Sequence, residues 1–182
     1  MKPRLRHAVG RRVTVVGMRR PWIVPALSLL LLASTAALAQ ATDPIETVLE
    51  TYVVSQVTRD DGTREDRFSP ATQARPGQVV EYRIIVTNVS EETLPPGIVV
   101  ISVPILEGTQ FVPSSATPSS EELLTEFSAD DGMTFAETNV FIGLGDDRAI
   151  ADPTAYTTVR WTVLADMEPG DALTLVYRVT IR

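Results

Sequence analysis

Two pairs of neighbouring aspartates are the residues with the clearest chemical potential in this sequence. Asp130 and Asp131 form the first pair, and Asp146 and Asp147 form the second. Carboxylate oxygens suit calcium, which takes about six to eight oxygen ligands. These four residues are therefore the candidate calcium ligands, and no other cofactor is suggested. The two pairs can share one ion only if the fold brings them together.

The first aspartate pair also fits a purely structural turn. Ser128, Asp130, Gly132 and Thr134 alternate along the chain, and Phe135 follows directly. This series resembles the Asp-box turn of some propeller blades and secreted β-proteins. In that turn the aspartate accepts hydrogen bonds from backbone amides, and the aromatic ring packs beneath it. The sequence leaves both the calcium interpretation and the structural one open.

The composition of residues 40–182 excludes the commonest catalytic designs. The only histidine is His7, the only lysine is Lys2, and the chain has no cysteine. Residues 40–182 therefore lack imidazole bases, thiolate nucleophiles, Cys/His zinc sites, disulfides and lysine Schiff bases. A pair of carboxylates in a cleft, as in glycoside hydrolases, is the acid–base design that remains. The sequence indicates no such pair, so we predict that the protein is not an enzyme.

Residues 1–39 have the pattern of a secretory signal peptide. They carry seven lysine and arginine residues and no acid, then an apolar run from Trp22 through Leu32, then Ala37-Leu38-Ala39. This order predicts cleavage after Ala39. A retained membrane anchor is the alternative, but the apolar run is shorter than the ~20 residues that a spanning helix needs. We therefore expect an extracytoplasmic protein, in the periplasm or at the cell surface, with no stable membrane span after cleavage.

The charge that remains after this cleavage is strongly negative. Nine of the 16 basic side chains stay in residues 40–182 with all 23 acids, which gives a net charge of −14. A surface of this sign repels phosphate backbones and anionic lipids. We therefore expect no nucleic-acid partner.

Alternating apolar residues predict a series of short strands. After a turn at Pro76-Gly77, the strand that ends at Asn88 places Val80, Tyr82, Ile84 and Val86 on one face. About seven such segments, separated by turn signals, predict an all-β fold over residues 50–182. The expected architecture is an immunoglobulin-like antiparallel β-sandwich.

The N-terminal strand pair is predicted to follow a short leader. Residues 40–49 form this leader, with one helical turn near its end, and residues 50–58 form the first strand. Asp61-Gly62 predicts a two-residue hairpin turn in which both central residues have positive φ. A charged second strand then covers residues 64–69, and its charge is typical of a sheet edge.

Two later segments are important for the predicted sandwich. Residues 98–103 form a nearly continuous apolar run, which is typical of a strand covered on both faces. The strand at 156–163 alternates and is predicted to bury Trp161 in the core. Together with the alternating strand at 173–181, it predicts the closing hairpin of the fold.

The order of these motifs resembles a known family. The resemblance rests on Pro76-Gly77 and the alternating strand after it, on Gly108-Thr109-x-Phe111-Val112-Pro113, on Arg160-Trp161, and on Pro169-Gly170-Asp171. This series resembles the conserved-repeat domain of bacterial and archaeal surface proteins, which is catalogued as domain of unknown function eleven. The resemblance implies an immunoglobulin-like sandwich with a structural or adhesive role and supplies no catalytic residues. Members often occur in tandem, whereas this chain carries one copy.

These observations predict an exported, non-enzymatic cell-envelope or surface protein. It would act through contacts with other envelope proteins or with itself, as a structural or assembly subunit. In a sharper version, residues 40–58 leave their own domain and complete the sheet of a neighbour. The alternative is an accessory module that binds calcium or carbohydrate through the two aspartate pairs and exposed aromatic residues.

Overall fold

β-Strands make up most of the regular structure of the described chain. The computed structural model describes residues 43–71, 73–143 and 145–182, so the predicted signal peptide and residues 40–42 of the leader lie outside the described residues. Short 3-10 turns cover Gly145–Asp147 and Pro153–Ala155. Within the described ranges, no helix is long and apolar enough to span a membrane. The strands are β1 (Ile45–Thr58), β2 (Arg64–Pro70), β3 (Val79–Asn88), β4 (Val100–Pro104), β5 (Thr109–Phe111), β6 (Leu123–Ser128), β7 (Phe141–Ile142), β8 (Ala149–Ile150), β9 (Thr158–Val163) and β10 (Ala172–Ile181).

These strands form two main antiparallel sheets. The larger sheet has the order β2-β1-β3-β10-β5, the smaller one has the order β4-β9-β6, and β7 pairs with β8 in a separate ribbon. Seven of the described strands have five residues or more. The prediction of an all-β antiparallel sandwich with about seven strands is therefore confirmed.

Alternating side chains of β3, β9 and β10 build the core between the two sheets. Trp161 of β9 is fully buried and packs against Tyr177 of β10, with 6.2 Å between the ring centroids. Its indole Nε1 donates a hydrogen bond of 3.2 Å to the carbonyl oxygen of Thr117. The predicted core role of Trp161 is confirmed. The other buried apolar residues of these three strands are Val80, Ile84, Val86, Val159, Val163, Leu175 and Val179.

The N-terminal strand differs from the prediction in its start and in its turn. β1 begins at Ile45 and pairs with β3 from its first residue, so the helical turn is wrong and residues 45–49 belong to the sheet. The β-branched composition of this segment prevails over its helical spacing. The hairpin loop has three residues, because the amide of Arg59 still donates to the carbonyl of Thr63. Only Gly62 in this loop has positive φ, at 83°, as in three-residue hairpins with glycine in the left-handed position.

The predicted closing hairpin of β9 and β10 is wrong. β9 belongs to the smaller sheet and β10 to the larger one, so residues 164–171 cross from one sheet to the other. Both strands alternate, and their apolar faces meet across the core through Trp161 and Tyr177. Alternation of apolar residues indicates that one face of a strand is buried. It does not reveal whether two such strands pair in one sheet or pack against each other from opposite sheets.

The apolar run at 98–103 was predicted to be covered on both faces, and this is also wrong. β4 lies at the edge of the smaller sheet with β9 as its single neighbour. Ile98 just before it is 62% exposed and Val100 is 47% exposed, whereas Ile101 and Val103 turn toward the core. A continuous apolar strand therefore stands where most proteins place charged or interrupted sequence.

The two sheets differ in width, and the wider one projects past β4. Leu49 of β1 and Leu175 of β10 both pair with Ile84 of β3, one from each side, so all three share the inner face. Leu175 is fully buried beneath the smaller sheet, but Leu49 is 58% exposed. The inner face of β1 is therefore only partly covered, and β2 lies beyond it.

The two leucines give a direct test of this difference in coverage. We expect Leu175→Ala to lower the free energy of unfolding by about 2–5 kcal/mol, because it removes fully buried methyl groups and leaves a cavity. Leu49→Ala, the same change on the same face, should lower it by less than about 1 kcal/mol. Equilibrium denaturation in urea measures both variants. Equal losses would contradict the open inner face of β1.

Candidate functional site

The turn after β6 has the hydrogen bonds expected of an Asp-box. The Asp130 carboxylate accepts from the Ser128 hydroxyl at 2.6 Å, from the Thr134 amide at 2.9 Å and from the Thr134 hydroxyl at 2.6 Å. The Gly132 amide donates to the Ser128 hydroxyl oxygen at 2.9 Å. A Cβ placed on Gly132 would lie 3.5 Å from the Phe135 ring, so the ring packs beside this glycine. The structural interpretation of this motif is confirmed.

These contacts fix the charge state of Asp130. Hydrogen bonds from Ser128 and Thr134 lower the pKa of the Asp130 carboxyl to about 2, because they stabilise the charged form. Each carboxylate oxygen already accepts a hydrogen bond within the turn. Asp130 is therefore an ionised structural residue at neutral pH.

The fold does bring the two acidic segments together. A cavity of about 430 Å³ has the Asp130 turn on one side, with the exposed Met133, and the loop from Phe141 to Arg148 on the other. The guanidinium of Arg148 lies 3.8 Å from the centroid of the Phe141 ring, so a positive charge stands on this wall.

The other three calcium candidates lie around this cavity or near it in sequence. Asp131 is exposed, and its backbone amide donates to the Thr157 hydroxyl at 2.9 Å. Asp147 is exposed on the 3-10 turn, and the side chain of Asp146 is outside the described part of the structure. Among the side chains that are described, no three acids or histidines lie close enough to hold a metal ion. Calcium binding therefore stays a prediction.

A second charged cluster lies on the outer face of the larger sheet. Glu81 of β3 is 3% exposed because two arginines cover it. Arg83 donates to its carboxylate at 2.7 Å and Arg178 at 2.8 Å, and Arg178 also binds Asp66 of β2 at 2.7 Å. The cluster ties β2, β3 and β10 together. The alternation of β3 places Glu81 opposite Val80 and Tyr82, on the outer face, but alternation does not predict its burial.

Aromatic rings complete this outer cluster. The guanidinium of Arg83 lies 4.6 Å from the centroid of Tyr52 and 4.7 Å from that of Phe68. Tyr52 and Phe68 meet edge to face at 6.4 Å. These contacts hold β1 and β2 to β3 on the face that the smaller sheet does not reach. The cluster stabilises the larger sheet, since its charged groups pair with one another.

The edges of the main sheets are protected to different extents. β2 carries four charged residues in a row, from Arg64 to Arg67, and charge discourages pairing with another chain. Beyond the short β5, Ser115 and Thr117 form hydrogen bonds with the backbone of β10. The amides of Val176 and Arg178 donate to the hydroxyl oxygens of Thr117 and Ser115, and the Val176 carbonyl accepts from the Thr117 amide.

At β6, the Thr125 amide donates to the Ser119 hydroxyl oxygen. The next outward residue, Phe127, exchanges backbone hydrogen bonds with Ala136, just after the Asp130 turn. β1 extends past the end of β2, so residues 45–50 have β3 as their one neighbouring strand among the described residues, and this part carries Glu46 and Glu50. The remaining edge is β4, which carries no charged residue.

The open side of β4 presents unpaired backbone groups. Val99 accepts from the Val163 amide at 3.0 Å, and the Ile105 amide donates to Thr157 at 2.7 Å, so the odd-numbered residues bond to β9. In an antiparallel pair the intervening residues point their amides and carbonyls to the other side. The backbone groups of Val100 and Ser102 therefore face outward, on the side where the described part of the chain places no strand beside β4.

A shallow groove runs between this edge and the inner face of β1. Two adjoining depressions of about 270 and 370 Å³ form it, and they share Thr47, Val100 and Ile101. We call this feature the β4 groove. Its only charged lining residue is Asp43, at one end. The remaining lining residues are Pro44, Ile45, Leu49, Ile84, Leu94, Ile98, Val99, Ser102 and Val103.

Comparisons with known proteins add no relative to this description. No protein-family model, no curated protein and no solved structure matches the chain. The resemblance to the conserved-repeat domain of surface proteins therefore rests on the sequence motifs alone.

The Asp130 turn makes a prediction about acidic pH. Because the pKa of Asp130 is lowered on folding, its stabilising effect is complete above the ordinary aspartate pKa of about 4 and is lost as pH falls through about 2. We expect protection of the Thr134 amide from hydrogen exchange to fall across this range in the wild type. Asp130→Asn should already reduce this protection at pH 7.

Asp131→Asn is the matched control for this experiment. Its side chain is exposed, and asparagine tolerates the positive φ of 58° at this position. The control should leave the protection of Thr134 unchanged. An equal effect from both variants would contradict the role assigned to Asp130.

The outer cluster predicts unequal effects for two glutamates. Glu81→Gln leaves half-buried Arg83 without its anion and half-buried Arg178 with Asp66 alone, and we expect it to lower the free energy of unfolding by roughly 2–3 kcal/mol. Glu65→Gln breaks the exposed pair with Arg59 and should cost less than about 1 kcal/mol. Thermal and urea unfolding of both variants measure these losses. Equal losses of unfolding free energy in the two variants would contradict the role assigned to the cluster.

Proposed function

We propose that this chain is an exported, non-enzymatic envelope protein that acts through contacts with another protein. The observation that carries the proposal is the open edge at β4. It is apolar and uncharged and has no further strand beside it among the described residues, whereas β2 and the open part of β1 carry charged residues and β6 is covered by hydrogen bonds. Unprotected edges promote association, and natural proteins generally block those that have no use.

The chemistry of the described residues supports binding over catalysis. The aspartates with lowered pKa values, Asp61, Asp130 and Asp152, accept hydrogen bonds from hydroxyl and backbone groups of their own turns. Their charges therefore stabilise loops and are not directed at a common point in a cleft. A general acid and base need a shared cleft and separated pKa values.

The sequence supports the export part of the proposal. Residues 1–39 have the order of a cleavable signal, and the remaining charge of −14 favours a soluble protein outside the cytoplasm. The resemblance to surface-protein repeats agrees with this location and with an adhesive or structural role. Partners would be other envelope proteins.

The structure modifies the sharper version, in which residues 40–58 complete the sheet of a neighbour. β1 pairs with β3 along residues 45–54 and with β2 along residues 52–58, so each of its residues is paired on at least one side within its own domain. We therefore place the contact surface at β4 and the β4 groove, and the chain is the acceptor of a contact there.

A second candidate is an accessory module that binds calcium or carbohydrate. The cavity that joins the Asp130 turn to the loop at Phe141 favours it, since Asp130 and the aromatic Phe141 both line this cavity. Calcium titration by calorimetry tests the metal half of this candidate. Heat of calcium binding that is present in the wild type and lost in Asp147→Asn would support calcium binding. No heat of binding in the wild type, together with an unchanged melting temperature, would contradict it.

Crosslinking in the cells that make the protein tests the first proposal. A photocrosslinking phenylalanine analogue replaces Val100 on the β4 edge, Leu49 in the β4 groove, or Glu65 on the charged edge of β2. We expect a discrete adduct with the same protein from the first two positions and none from Glu65. Adducts of equal strength at all three positions, or none at any, would contradict a contact surface at β4.

A further inference from the structure

We propose that the β4 groove accepts one extended segment of a partner protein, which adds to the smaller sheet as a fourth strand. This inference rests on the proposed function and names the form of its partner. The segment has apolar residues at every second position and basic residues at its flanks. Backbone pairing, side-chain burial and charge each support this occupant.

The backbone of β4 is prepared for such a strand. Val100 and Ser102 each direct one amide and one carbonyl outward, and an added strand can satisfy all of these groups at the usual spacing of about 4.8 Å. Pro104 ends β4 and has no amide to donate. The added strand therefore pairs mainly with the segment before Pro104, where the exposed Ile98 and Val100 lie.

The larger sheet supplies the second part of the site. The deeper depression joins Leu49 and Ile84 of the larger sheet to Ile101 and Val103 of β4, so the region beside β4 lies above β1. A strand placed there turns every second side chain toward Leu49 and Thr47 and the others toward solvent. This geometry requires alternating apolar residues and covers the inner face of β1.

The same geometry excludes a simple edge-to-edge dimer of two sandwiches. β1 and β2 project under the open side of β4, because the larger sheet is wider by two strands and β6 packs at its other end through Phe127 and Phe111. A second copy that paired its own β4 there would bring its larger sheet into the space of β1 and β2. A single strand without a sheet beneath it fits.

Charge favours a basic partner segment. The groove itself carries only Asp43, at one end, while residues 40–182 have a net charge of −14. An apolar segment with lysine or arginine at its ends is attracted by this field and keeps its charges outside the groove. An acidic segment of the same pattern is repelled.

A strand supplied in the same chain tests the inference without a known partner. The Arg182 amide donates to the Gly108 carbonyl at 2.8 Å, so the C-terminal end of β10 is tied to the loop that follows β4. The probe is the full chain extended after Arg182 by a Gly/Ser linker of about ten residues and a strand of about nine residues. This strand alternates valine and threonine and has lysine at both ends.

The expected result is a rise in melting temperature of at least about 4 °C over a control fusion with the same composition in shuffled order. The amides of Val100 and Ser102 should gain at least about tenfold protection from hydrogen exchange. Ser102→Pro removes an outward amide and should abolish the rise, whereas Ser102→Ala keeps that amide and should preserve it. A fusion with glutamate at both ends of the strand should stabilise less.

Three outcomes would overturn the inference. The first is equal stability of the alternating and shuffled fusions, with Val100 and Ser102 unprotected. The second is concentration-dependent protection of these amides in the unextended chain, which would assign the groove to a second copy. The third is protection of these amides in the unextended chain that does not depend on concentration, which would assign the groove to the chain's own N-terminal residues.

The two proposals can fail separately. Adducts at Val100 and Leu49 in cells, together with a fused strand that gives no stabilisation, would leave a contact surface but refute strand addition. Stabilisation by the fused strand without adducts in cells would show a groove that accepts a strand but would contradict the proposed function.

Discussion

The contact between Trp161 and Tyr177 across the core is the interaction on which the rest of the sandwich depends. It sets β9 above β10, and the neighbours of each strand then follow from pairing within their own sheet. Because β9 is the middle strand of a narrow sheet and β10 is the fourth strand of a wide one, this single alignment leaves β1 and β2 past the border of the smaller sheet. The open edge and the β4 groove are consequences of how the core is aligned.

The two charged clusters serve this unequal architecture in different ways. The Asp130 turn closes the end of β6 and protects its edge, so its carboxylate acts as part of the backbone framework. The Glu81 cluster acts on the opposite face of the larger sheet. It holds β2, which lies past the border of the smaller sheet, to β3 and β10. The candidate ligand Asp130 therefore stabilises a turn, whereas the Glu81 cluster supports the projection of β1 and β2.

The sequence predicted what depends on local pattern. The faces of β3, the burial of Trp161 and the Asp130 turn follow from alternation and from spacing within a few residues, and the structure confirms them. It could not predict what depends on distant pairing. Glu81 is buried because Arg178 lies opposite it in the register, far along the chain, and the partners of β9 and β10 depend on the same kind of information. The run at 98–103 is different, because a continuous apolar sequence does not reveal that the strand lies at the edge of a sheet with one face exposed.

The length of β1 has a mechanical consequence. Its first part pairs with β3 from Ile45 to Val54, and its second part pairs with β2 from Tyr52 to Thr58, so the strand is bonded along its whole course. A pull on Ile45 along the strand axis loads the ladder with β3 in shear, and many hydrogen bonds must break together before the strand slides. Resistance to such a load depends on the rate of unfolding and not on equilibrium stability. The sandwich can therefore transmit tension along β1 while the β4 edge, on the other sheet, keeps its shape.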